Sequence, residues 1–424
     1  MENQGRERGG GRVVVLVPCP LQGHISLMIE LAIALHSKGF SITIAHTLFN
    51  SSNLSNHLHL TFHPIPDGLT NRDTSSGDFP TFVSTINTNC EAPIKECLPQ
   101  MMNQEMRMGN EVACIIYDTV MHATETVTNY LKIPTIVLRT TGASAMVVYG
   151  CMTRLYEASY FPLEGPSPGT PSPEVQRPTH LQIRQCRILA PTSIHCLQQN
   201  ILCHIWNTLD SLENPTMSEL QHHHQIPFFP IGPLFKISSP SWSTSLLEEN
   251  INCISWLGKQ APNSVLYISL GSLASVNEIE LVEMAWGLAN SGQTFLWVIR
   301  LDSVHGSEWM ELLPEGFDDV IYERECIVKV SVGVPMICSL GFGDQKVNAR
   351  YVSGVWKVGL ELVGDRLERG KIERVVRRLL GGEEGEEMRQ RATNLKKKVE
   401  VCVNEGGFSH NSLNDLVEFI LSLD

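Results

Sequence analysis

Five consecutive apolar residues, Val13 to Val17, run into the turn Pro18-Cys19-Pro20-Leu21-Gln22-Gly23. A helical pattern follows from His24 to Lys38, with Ile25, Met28, Ala32 and Leu35 recurring on one face. An apolar run without polar alternation, too short for a membrane span or a signal-peptide core, reads as a buried strand. Gly39 closes the helix and Phe40 to His46 supplies a second strand. The resulting strand-helix-strand unit requires a right-handed parallel crossover, which commits the chain to an α/β architecture opening a doubly wound sheet.

The alternation continues. Further strands are expected at 58–65, 113–117 and 135–138, with a helix over 122–131. From Phe161 to Pro178 the chain is rich in Pro, Gly, Ser and Glu and reads as loop, and periodicity returns near Ile201 to Leu212. Pro227 to Pro233 and the serine-rich stretch 238–245 have the composition of an interdomain linker. A second series then begins: strands at 264–270, 294–300, 327–330 and 334–337, and helices at 278–289, 345–355, 371–380, 386–403 and 411–423. This divides the chain into a first domain over 1–235, a linker over 236–250 and a second domain over 251–424, with the last helix packing back on the first domain.

With 32 basic and 45 acidic residues the net charge is -13, and no basic run interleaved with aromatics provides a phosphate-backbone surface, so nucleic-acid binding is not expected. The 12 cysteines are scattered without a CxxC pair and read as reduced thiols of a cytoplasmic protein. No metal site is expected: the adjacent His222, His223 and His224 cannot all face one way and read as a polar loop. The acidic run Glu383 to Glu387 reads as a solvated helix start.

His24 opens the first helix at the carboxyl edge of the expected sheet, where open α/β sheets place ligands. The positive end of a helix disfavours imidazolium, so a histidine there stays neutral and available as a base. It could equally be a solvated capping residue. Asp118, just past the strand at 113–117, can orient that imidazole if the two converge, or serve as an ordinary turn residue. Asp344 and Gln345 follow the run VPMICSLGFG and open a helix, which a capping role would also explain.

Pro18 to His24, Asp118 in IIYDTVMH, the run SVLYISLGSLAS and the run VPMICSLGFGDQKVNARY together resemble plant UDP-glycosyltransferases of secondary metabolism, in family order. The resemblance implies the GT-B fold, two Rossmann-like doubly wound domains facing a cleft. It implies inverting transfer of a sugar, glucose above all, from a UDP-sugar to a hydroxyl of a small lipophilic acceptor such as a flavonoid, phenolic or terpenoid. It needs no metal and no cofactor beyond the co-substrate. His24 matches the general base and Asp118 its orienting partner. Asp344 and Gln345 match the pair that binds donor sugar hydroxyls, Gly271 and Ser272 the loop near the diphosphate, and Thr140 or Thr141 a sugar contact. A monomer is expected.

The chain departs from that pattern between Val330 and Val334, where only Ser331, Val332 and Gly333 stand. The family signature is about 44 residues long, about 16 remain, and so about 28 are missing. The missing part includes the tryptophan that stacks on uracil, the glutamine and glutamate for the ribose, and the His-Cys-Gly-Trp-Asn-Ser run for phosphate. A helix-strand-helix piece of the second domain is absent with them, which implies weak or lost transfer. The alternative is a non-catalytic relative that binds acceptors only. A nucleotide-dependent oxidoreductase is disfavoured because the turn 18–23 contains one glycine where a GxGxxG is needed. An error in the gene model, a splice variant and a decaying duplicate differ in the full-length transcript: one encoding an intact signature excludes the decaying gene.

Overall fold

The computed structural model describes residues 11–49, 59–70, 79–157, 201–238, 251–271, 275–298, 304–305, 313, 321–322, 333–339, 344–364 and 366–423. These fall into two compact units, one holding the described residues up to 238 together with 402–423, the other those of 251–401.

In the first unit the strands are β1 (Arg12–Val17), β2 (Ser41–Thr47), β3 (Thr61–Ile65), β4 (Glu111–Asp118), β5 (Thr135–Arg139), β6 (Ile201–Trp206) and β7 (Phe228–Pro230). They form one all-parallel sheet in the order β3-β2-β1-β4-β5-β6-β7. The helices are α1 (Gln22–Ser37), α2 (Phe79–Arg107), α3 (Ala123–Leu131), α4 (Ala143–Glu157), α5 (Asp210–His224) and α6 (Leu234–Ile237). Strands covered on both faces must be apolar throughout, and Val13 to Val17 are all at most 1% exposed. Gly39 ends α1 at φ +99°, a left-handed conformation that suits glycine. The chain first adds strands on one side of β1 and later, from β4, on the other, so the switch point of the sheet lies between β1 and β4.

Several elements differ from the sequence expectation, which did not include α4. The 29-residue helix α2 was not anticipated, because Pro93 and Pro99 interrupt its local signal. Burial of Phe82, Val83, Ile86, Cys90 and Ile94 along one face outweighs that cost. His222 to His224 form the last turn of α5 and not a loop. The segment taken for linker at 227–233 is the edge strand β7 and the lead into α6, with Ile231 and Leu234 buried in the main core.

The second unit contains β8 (Val265–Ser269), β9 (Val276–Asn277), β10 (Thr294–Val298), β11 (Val304–His305), β12 (Ile321–Tyr322), β13 (Met336–Ser339) and β14 (Gly359–Leu362). Its helices are α7 (Ile251–Leu257), α8 (Glu278–Ser291), α9 (Gln345–Arg350), α10 (Arg369–Leu380) and α11 (Gly382–Val403), a π-helical turn (Tyr351–Val355) following α9. Asn277 starts α8 with a reciprocal capping box to Glu280. Among the described residues the strands pair as three sets, β12-β10-β8, β11-β9 and β13-β14, all parallel. Every residue of β8 and β13 is at least partly exposed, in contrast to β1. Leu281, Trp297, Ile372 and Val376 form the core of this unit. The expected strand at 327–330 lies outside the described residues, as do the loops at 161–178.

The final helix, α12 (Phe408–Leu421), belongs to the first unit. Leu413, Leu416 and Ile420 enter the same core as Val14, Leu16 and Ile116. Ser409 Oγ donates to the carbonyl of Gly232 at 2.7 Å. Arg12 caps the other end, its guanidinium donating to the carbonyls of Ile420, Leu421 and Leu423 at 2.8–3.0 Å. A cation on the free carbonyls of a helix C-terminus is favourable. We expect Leu416→Ala to lower stability by about 2–5 kcal/mol. Arg12→Ala, which removes partly solvated bonds, should cost only about 1–2 kcal/mol; equilibrium urea unfolding measures both.

Candidate active site

His24 and Asp118 are 94 positions apart in sequence, yet His24 Nδ1 lies 2.7 Å from Asp118 Oδ2. Neighbouring strands bring them there. The β1/β4 register pairs Val17 with Tyr117, so the first turn of α1 and the end of β4 share the carboxyl edge at the switch point. Asp118 is fully buried, while the His24 side chain keeps 20% of its surface exposed. An ionised carboxylate only accepts, so the imidazole donates from Nδ1; in the neutral ring the accepting nitrogen is then Nε2. A base with one nitrogen held by a buried acid and an exposed edge can take a proton from a bound hydroxyl. The second carboxylate oxygen of Asp118 accepts from the Val120 amide at 2.9 Å.

The same edge carries Thr140 and Thr141, both half-buried, in the turn between β5 and α4. Glu213 of α5 holds that turn from below: its carboxylate accepts from the amides of Ala143 and Ser144 at 3.1 and 3.0 Å and from Thr208 Oγ1. A carboxylate on the free amides of a helix N-terminus is favourable twice over, by hydrogen bonding and by the helix dipole. Arg139, 2% exposed, donates from Nη1 to Thr119 Oγ1 at 2.8 Å and from Nε to His204 Nδ1 at 3.3 Å, linking β4, β5 and β6. Sequence reading identified neither Glu213 nor Arg139. Neither lies in a motif, and a buried charge leaves no periodic trace.

Burial pushes the Cys19 thiol well up, and the Asp118 charge adds to the effect, so this neighbour of the pair is an inert, protonated thiol. His122, which precedes α3, is held below the ordinary histidine range by burial.

In the second unit Asp344 and Gln345 stand at the start of α9, Asp344 half-buried and Gln345 exposed. Asp344 makes no side-chain capping bond; its Oδ2 instead accepts from Asn348 Nδ2 at 3.2 Å. Gly271, after β8, has φ +74° and donates its amide to Ser269 Oγ at 3.1 Å, in a backbone conformation that suits glycine. Ser272 lies outside the described residues. Among the described residues no group of three or more His, Cys, Asp or Glu could hold a metal ion, and no helix is long and apolar enough to cross a membrane.

No protein-family model matches the chain. It is 41% identical to UDP-glycosyltransferase 76E1 of Solanum lycopersicum over 449 aligned positions, covering 97% of this chain and 92% of the relative. It is 40% identical to UDP-glycosyltransferase 76E11 of Arabidopsis thaliana over 456 positions, covering 98% and 100%. It is also 40% identical to flavonol 3-O-glucosyltransferase UGT76E12 of Arabidopsis thaliana, over 460 positions and 98% of each chain. Set against a chain of 424 residues, 449, 456 and 460 positions leave at least 25, 32 and 36 without a counterpart here. Among solved structures, Os79 from O. sativa in complex with UDP has a TM-score of 0.78 at 20% identity, covering 97% of this chain and 100% of that one. Phytolacca americana UGT2 complexed with UDP-2-fluoro-glucose and pterostilbene has 0.77 at 22% identity, covering 97% and 100%. These likenesses show the fold, which is the GT-B fold.

One prediction concerns pH. His204 is 1% exposed and held well below the ordinary histidine range by burial, then by the charges of Arg139 and His224. An unfolded histidine takes its proton near pH ~6.5, the native one only at lower pH, so the unfolded state binds more protons between those values. Stability therefore falls as pH drops below ~6.5, by at most about 1.4 kcal/mol per pH unit for this group. Urea midpoints at pH 7 and pH 5 should differ in that direction, and less so in His204→Gln.

Proposed function

Because the chain belongs to the plant UDP-glycosyltransferases, we propose that it transfers a sugar, glucose, from a UDP-sugar to a hydroxyl of a small lipophilic metabolite with inversion, far more slowly than a chain with a complete donor segment. The observation that carries the acceptor half of this reading is the 2.7 Å bond from His24 to buried Asp118. Nε2 of His24 takes the proton of the acceptor hydroxyl as its oxygen attacks the anomeric carbon. The bond from that carbon to the phosphate oxygen breaks on the opposite face, UDP leaves with the electron pair, and Asp118 stabilises the imidazolium that forms. In this reading Thr140 or Thr141, Asp344 and Gln345 hold donor sugar hydroxyls and Gly271 with Ser272 approaches the diphosphate. The reaction as written needs no metal or further cofactor. We place it in the cytoplasm, in a monomer, with a flavonoid, phenolic or terpenoid as acceptor; a relative 40% identical is named a flavonol 3-O-glucosyltransferase.

The donor half rests on the second unit. The relatives carry at least 25 positions that this chain lacks. A short signature between Val330 and Gln345 accounts for a loss of that order. The half-exposed strands β8 and β13, in separate sets among the described residues, fit a sheet from which a central piece is missing. Without base stacking and phosphate bonds the donor is poorly oriented, and orientation is a large part of the rate. The same features favour a second reading, in which the chain binds acceptors through its first unit and transfers nothing.

Calorimetric titration of UDP-glucose into the folded chain should give no saturation in the micromolar range. Micromolar binding would show that the shortened unit rebuilds a donor site and would overturn the slow-transfer reading. Where product is detected by mass spectrometry, His24→Gln should reduce its rate by about 10²–10⁴-fold. Acceptor binding without product at any donor concentration selects the second reading.

A further inference from the structure

We propose that Asn87, on the face of α2 turned to the sheet edge, is a positioning residue for the His24–Asp118 pair; the inference rests on the reading of His24 as the base. Asn87 is 4% exposed, and each polar atom of its amide is used. Nδ2 donates to the carbonyl of Val83 one turn back at 2.8 Å and to the carbonyl of Val120 at 2.7 Å. Oδ1 accepts from the amide of Ala123, the first residue of α3, at 2.7 Å. The orientation of the amide is fixed by these partners: a flipped side chain would set its oxygen against two carbonyls and its NH2 against an N–H.

The residues Asn87 grips are those that hold Asp118. The Val120 amide donates to Asp118 Oδ1 at 2.9 Å, while the carbonyl of the same residue is the one taken by Asn87. The Met121 amide closes the turn on the Asp118 carbonyl at 2.7 Å. A continuous chain therefore runs from Asn87 through both polar groups of Val120 to one oxygen of Asp118, whose other oxygen holds His24 Nδ1. The turn packs its side chains inward, with Val120 6% and Met121 0% exposed, so water does not replace a lost partner readily.

Helix packing alone does not call for this residue. Asparagine is a weak helix former, and a buried amide is costly unless every bond is made. What the amide adds is a rigid span between the carbonyl and the amide that bracket the turn after β4. Small displacements of a catalytic acid or base are expensive in rate, so a turn with one rotamer for Asp118 is a functional asset.

The test uses the full chain with its histidines labelled with nitrogen-15, the His24 signals being those lost in His24→Gln. In the unaltered chain the neutral imidazole should carry its proton on Nδ1. In Asn87→Ala, or in the milder Asn87→Ser if alanine does not fold, the ratio of the Nδ1–H to the Nε2–H form should fall about tenfold, the equivalent of one hydrogen bond. Thr88→Ala, whose Oγ1 bonds only within α2 to the Ser84 carbonyl, should leave that ratio unchanged. A merely structural role for Asn87 would lower the thermal midpoint and leave His24 alone. Amide exchange in the unaltered chain gives a reading that needs no variant: Val120 and Ala123 should exchange as slowly as β4, and exchange as fast as at Gly109 would overturn the inference. A His24 without an Nδ1 proton in the unaltered chain would sink the base reading and this one together. An Nδ1–H form that ignores Asn87 sinks this one alone, and none of these readings depends on donor binding.

Discussion

The pairing of β1 with β4 organises the first unit. The two strands lie side by side although, among the described residues, two strands and two helices come between them in the chain, and their register sets Leu16 beside Ile116 and Val17 beside Tyr117. Because side chains alternate along a strand, a slip of one residue would turn every core valine of β1 to the other face. The burial of Val14, Leu16, Cys114 and Ile116 in one cluster holds the register against that slip. The turn after β1 and the turn after β4 then have nowhere to go but the same edge, and His24 and Asp118 meet there.

That edge is built from buried polar groups, each with an assigned task. Glu213 closes the N-terminus of α4, Arg139 ties the ends of three strands, and Asn87 spans the turn after Asp118. The bonds of Glu213 to the α4 amides and of Asn87 to Val120 are made away from water, where an unmet partner is costly, so the edge tolerates one arrangement and few others.

The second unit contrasts with the first. Its helices are well patterned, with ion pairs such as Arg369–Glu283 and Arg378–Glu384 on the surface, and α8 and α10 cover an apolar centre at Trp297. Its strands, however, form three small sets among the described residues, and β8 and β13 lack the full burial of β1. Parallel sheets are stable when both faces are covered and central strands are paired on both sides.

Much of this was legible in the sequence. Apolar runs without alternation marked β1, β4 and β5 within two residues, helical spacing marked α1, α8, α10, α11 and α12, and the order of motifs pointed to the family. The reason is physical: a strand covered on both faces and a helix covered on one leave periodic traces that no later contact can erase. Local signals failed where tertiary burial outvoted them, in α2 with its two prolines and in β7, whose proline-rich composition looked like linker. Only the fold decided the 2.7 Å approach of His24 to Asp118 and the chain of bonds through Val120 to Asn87. Those contacts join residues far apart in sequence, and their geometry comes from strand register and helix placement, which no single segment encodes.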